Sequence, residues 1–73
     1  MTDNMTDIVF YVITDCSQMK YIYKDIINWG INHYASCLNI TLTTKEKKAV
    51  FTKIINGIEN LKLKYDGSLF LKI

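Results

Sequence analysis

The side chains best suited to nucleophilic or metal chemistry in this 73-residue chain are Cys16, His33 and Cys37. A thiol attacks as its thiolate and needs a base within about 3 Å. Cys16 falls at the expected start of a helix, where exposed amides and the helix dipole favour the thiolate. The single histidine, His33, stands 33 − 16 = 17 residues further on. At about 1.5 Å per residue along an unbroken helix that is roughly 25 Å, too far for a catalytic pair. The same distance disfavours a Cys16–Cys37 disulfide unless the chain folds back at Gly30. His33 and Cys37, at i and i+4, share one side of a helix and would supply half of a zinc site. Two ligands are missing, which a symmetric dimer would have to provide. A packed cysteine and a hydrogen-bonded or exposed histidine explain the pair without a metal. The carboxylates Asp15, Asp25, Glu46, Glu59 and Asp66 are scattered over caps, helix faces and a turn, and form no acid/base couple. There is no Gly-rich phosphate loop, CxxC, HExxH or GxSxG. The sequence therefore predicts no enzyme, no cofactor and no metal.

The elements that would carry these residues read as α+β. Ile8–Ile13 is β-branched and aromatic, short, and closed by Thr14-Asp15, which predicts a strand with apolar residues on both faces. Asp15 followed by Gln18 resembles a helix cap, and Met19, Ile22, Tyr23, Ile26, Ile27, Tyr34 and Leu38 then form one stripe on a helix of about 20 residues. Gly30 inside it marks either a bend or a close approach to another backbone, at about 1 kcal/mol relative to Ala. Asn39–Thr44 is the linker. Thr43-Thr44-Lys45-Glu46 fits the S/T-x-x-E capping box and opens a second helix with Val50, Phe51, Ile54, Ile58 and Leu61 on one face.

Leu61 to Ile73 alternates apolar and polar around Asp66-Gly67, a hairpin signal. A three-residue turn of Tyr65, Asp66 and Gly67 places the leucines inward and Lys62, Lys64, Phe70 and Lys72 outward. The predicted fold is β-α-α-β-β: a three-stranded, mainly antiparallel sheet with two helices on one face. Residues 1–6 form a loose tail and 7–73 one compact domain.

Composition limits the function further. An apolar share of 49% with 22% charged residues describes a folded domain rather than a disordered tail. The longest apolar run falls far short of the roughly 20 residues that span a bilayer, so the expectation is a cytoplasmic protein without a membrane partner. All nine basic residues are lysine, alongside eleven Ile and six Asn, a bias that fits the A/T-rich genomes of phages, large DNA viruses and low-GC bacteria. Without arginine, bidentate readout of guanine or phosphate is lost. Net charge divides as −2 over residues 1–44 (two Lys, four Asp) and +4 over residues 45–73 (seven Lys, three acids).

Lys45, Lys47 and Lys48 crowd the start of the second helix against its dipole, a reasonable seat for an anion or for a partner's carboxylates. The outer sheet face, made by Phe70 with either Ile8, Phe10 and Val12 or Val9, Tyr11 and Ile13, rimmed by Lys62, Lys64 and Lys72 and with Tyr65 in the adjoining turn, reads as a contact surface for a larger host protein or for a second copy in a homodimer. The function expected is a non-enzymatic protein-binding module, a stoichiometric inhibitor or modulator encoded by a phage, virus or mobile element. The alternative is nucleic-acid binding. Residues 43–73 resemble the end of a winged-helix domain, although the compact helix-turn-helix that should precede them is missing.

Overall fold

The computed structural model describes residues 4–63 and is all-helical over that span. Helix α1 runs Asn4–Cys16, α2 Lys24–Cys37 and α3 Thr44–Asn60. No strand occurs among the described residues, so the α+β, three-stranded expectation is overturned.

The correction begins at Ile8–Ile13, which forms the middle of α1. Wound as a helix, the run buries Ile8, Val12 and Cys16 at four-residue intervals. Phe10 and Tyr11 then face outward. Thr14, read as closing a strand, lies inside the helix and returns its hydroxyl to the Phe10 carbonyl at 2.8 Å. α1 ends after Cys16, and the N–H groups of Ser17, Gln18 and Met19 are taken up by the carbonyls of Ile13, Asp15 and Cys16. Asp15 is thus part of α1 and caps nothing, and the expected helix of about 20 residues is the shorter α2, which starts at Lys24.

α2 passes through Gly30 without interruption. Gly30 marks neither a bend nor a close approach of another backbone: it makes room for a side chain, since a Cβ there would sit 3.1 Å from Cγ2 of Val12. Gly57 of α3 does the same for the next residue of α1, since a Cβ there would collide with Cδ1 of Ile13. Neither glycine has positive φ. They are small for packing, and α1 is clasped where its neighbours present no side chain.

α3 follows its local signals. Thr43 accepts from the Glu46 N–H at 3.1 Å, and the Glu46 carboxylate accepts from the Thr43 N–H at 2.9 Å, completing the capping box. Val50, Phe51, Ile54 and Ile58 are buried as the period predicts. Leu61 is not: it is the C-cap and 58% exposed. Leu61–Leu63, expected to begin a hairpin, instead ends α3 in a Schellman turn. The Lys62 N–H reaches the Glu59 carbonyl, the Leu63 N–H reaches that of Ile58, and Lys62 takes φ 56°. α2 ends identically, with Asn39 N–H to Ser36, Ile40 N–H to Ala35, and Asn39 at φ 55°. Both turns seat the following apolar residue, Ile40 or Leu63, against the core. The rest of the predicted hairpin, including Lys64, Tyr65, Phe70 and Lys72, lies outside the described residues.

The core joins all three helices through Ile8 and Val12, Ile27 and Ile31, and Val50, Phe51, Ile54 and Ile58, with Ile22 and Leu42 entering from the two linkers. No polar or charged residue is buried among the described residues. No helix among them is long and apolar enough to cross a membrane.

Candidate functional site

The cysteines separate into two environments. Cys16 is buried at the C-terminal end of α1, the wrong end for dipole activation. Burial first, and then the Asp15 charge, push its thiol up to about 11, which fits the reading of Cys16 as an ordinary packed cysteine rather than a reactive thiol at a helix start. Residues 17–23 break the helix, so the distance along one unbroken helix does not apply between Cys16 and His33. Cys37 is exposed, with its Sγ 3.7 Å from Nε2 of His33. Among the described residues no group of three or more His, Cys, Asp or Glu is placed to hold a metal ion.

Among the described residues the lysines singled out from the sequence fall at the two ends of α3. Lys45, Lys47 and Lys48 are exposed in the first turn of α3. Lys62 sits past its other end, roughly 25 Å away over 62 − 45 = 17 residues at about 1.5 Å each. At the N-terminus of α3 the Glu46 carboxylate already occupies the capping position. The hydrogen bonds it accepts, chiefly from the Thr43 backbone N–H, hold its carboxyl below the usual range.

What the fold does assemble is a strip of rings across α1 and α2. Trp29 stacks on His33 with centroids 4.7 Å apart and planes 8° from parallel. His33 and Tyr34 meet at 72° with centroids 5.0 Å apart, Tyr34 meets Tyr11 at 5.1 Å, and Tyr11 meets Phe10 at 6.0 Å. Five rings thus connect two helices without a gap. Helix geometry supplies the spacing on α2, where Trp29, His33 and Cys37 stand at i, i+4 and i+8. On α1, burying Ile8 and Val12 forces Phe10 and Tyr11 out. The Tyr34 hydroxyl donates to the Asp15 carboxylate, tying the centre of the strip to α1. That bond, ahead of burial, lifts the phenol above its ordinary range.

Despite these mutual contacts the ends of the strip are open: Phe10 is 65% exposed and Trp29 63%. Met19, Tyr21 and Tyr23 of the connecting loop are exposed as well. Sequence reasoning missed the strip by assigning Phe10 and Tyr11 to a sheet and leaving Trp29 unremarked. The signal available was the polar company of Trp29, between Asn28 and Gly30 and off the stripe of isoleucines.

Compared with protein-family models, with curated proteins and with solved structures, the chain matches none.

Proposed function

We propose that the protein is a small non-enzymatic binding module, a stoichiometric inhibitor or modulator that a phage, virus or mobile element directs against a larger host protein. Its contact face is the strip Phe10–Tyr11–Tyr34–His33–Trp29. One observation carries the reading: the ends of the strip, Phe10 and Trp29, leave most of their ring surface in water, and such rings are the composition that dominates protein contacts. The rings already brace one another, so little side-chain entropy remains to be lost on docking. This face replaces the sheet face expected from the sequence.

The chain has one tryptophan, so its fluorescence reports on this face alone. Binding of the host protein should shift Trp29 emission to the blue. Trp29→Ala and Phe10→Ala should each weaken capture by ~2 kcal/mol or more, a ~30-fold rise in Kd. Capture that is indifferent to both changes would overturn the reading. Salt-sensitive duplex binding lost in Lys47→Ala/Lys48→Ala would favour nucleic acid instead.

A further inference from the structure

We propose that His33 and Cys37 are one half of a zinc site completed by the same pair from a second copy of the chain, giving Cys₂His₂ coordination about a two-fold axis. Tetrahedral zinc, with Zn–S about 2.3 Å and Zn–N about 2.05 Å, holds a sulfur and a nitrogen about 3.5 Å apart. Sγ of Cys37 and Nε2 of His33 stand 3.7 Å apart without metal. The bite is already set, and closing it needs a movement of a few tenths of an ångström. The imidazole is steadied by two rings, stacked on Trp29 and steeply inclined to Tyr34. Nε2 coordinates through its lone pair with the ring proton on Nδ1, and the thiol proton passes to solvent as the Zn–S bond forms. Both ligands are exposed on one helix face and supply two donors where a structural zinc takes four. Among the described residues no third ligand from the same chain is at hand, and a symmetric partner supplies the missing pair. The other cysteine is buried in the core and does not compete.

Because His33 belongs both to this site and to the aromatic strip, zinc-linked pairing and capture of a host protein exclude one another. The two readings fail separately, since the capture test with Phe10 and Trp29 variants is done without metal. The experiment here is titration of the full chain with Zn²⁺ alone under a phosphine reductant, following sedimentation and bound metal. Co²⁺ serves as the spectroscopic probe. One zinc per two chains, a doubling of mass reversed by chelator, a thiolate-to-cobalt charge-transfer band and a change in Trp29 emission are expected. All should be lost in Cys37→Ser and in His33→Gln, whose exposed positions leave folding intact by circular dichroism. No bound zinc, one zinc per monomeric chain, or a dimer that survives Cys37→Ser would each overturn the proposal.

Discussion

α3 is closed at both ends by its own sequence, whereas α2 shares only its closing Schellman turn, and the start of α2 and the whole of α1 rest on what they pack against. α3 has a full capping box, a Schellman turn and good helix formers (Lys, Glu, Ala) on its exposed face. α2 starts at Tyr23, whose side chain makes no capping bond, and α1 consists mostly of residues with weak helix propensity. Their helicity comes from tertiary contact: Val12 against Gly30, Ile13 against Gly57, and the Tyr34–Asp15 bond. The surfaces differ in the same sense. The exposed rings belong to α1, α2 and their loop, while α3 shows lysines to the solvent. The region with the poorest local reasons to be helical is the one that displays the candidate site, as expected where selection acts on a surface and not on the element beneath it.

The largest effect that tests this contrast comes from neighbouring positions on α1. Ile8→Ala should destabilise by about 2–5 kcal/mol in urea unfolding, because it empties a fully buried position shared by the helices. Phe10→Ala should change stability by no more than about 0.5 kcal/mol, while weakening partner capture. In a strand, Ile8 and Phe10 would share one face and behave alike. Equal losses at the two positions would contradict the helical α1 and the strip together.

The glycines come next. Gly30→Ala adds a methyl against Val12, which is buried and fixed at χ1, so the gain of ~1 kcal/mol in helix propensity is outweighed by overpacking of about 1–3 kcal/mol. A net loss on the order of 1 kcal/mol is expected. Gly57→Ala collides with the terminal methyl of Ile13, which can turn about χ2, and leaves Cγ1 at an ordinary 3.4 Å, so its balance is close to zero. In an Ile13→Val background the obstructing atom is gone, and Gly57→Ala should stabilise by up to ~1 kcal/mol. Equal losses from Gly30→Ala and Gly57→Ala would show that α1 is held the same way on both sides.

These elements also show what was legible in the sequence. The start of α3 was readable because Thr43 and Glu46 act within one turn, and so was its buried face from Val50 to Ile58. α1 was misread because the composition of Ile8–Ile13 favours a strand, while the contacts that make it a helix come from Gly30 and Gly57, far along the chain. The four-residue spacing of Ile8, Val12 and Cys16 was present but hidden by the apolar residues between them. The stripe assigned to the first helix crossed the break at Ser17–Tyr23 because Met19 and Ile22 keep a helical period while standing in a loop. Of the candidate site, the His33–Cys37 spacing was visible. The strip was not, since it joins two helices whose contact no local pattern announces.

End effects are smaller, opposite in direction at the two helix starts and alike at the two helix ends. Thr43→Ala removes the α3 cap and should cost about 1 kcal/mol. Tyr23 already has the extended backbone of an N-cap residue, so Tyr23→Ser should add about 0.5 kcal/mol to α2. Lys62, a bulky residue at φ 56°, makes Lys62→Gly stabilising by about 0.5–1 kcal/mol, and Asn39→Gly by less, because asparagine tolerates that region. Thermal unfolding reads all four. A loss from Lys62→Gly would mean that its side chain makes a contact outweighing the backbone strain.

The finest test separates the two regions by pH. Tyr34 holds its proton more tightly in the folded state, through the Asp15 hydrogen bond first and burial second. A raised folded value means that its contribution is complete below the unfolded phenol value of about 10 and is lost as pH rises through the folded one. Cys16, pushed to about 11, acts in the same direction. Glu46 is lowered, so its contribution is present above the unfolded carboxyl value of about 4.3 and fades as pH falls through the folded one. Alkali should therefore loosen the α1–α2 contact while the first turn of α3 stays protected, and acid should do the reverse. Amide exchange followed by NMR resolves the two. Glu46→Gln should abolish the acid-side change at Lys47 and Lys48. Tyr34→Phe should remove part of the alkaline change and leave the part due to Cys16. An alkaline loss unaltered in Tyr34→Phe would show that the bond to Asp15 does not hold α1 to α2, leaving Val12 and Gly30 to do so by packing alone.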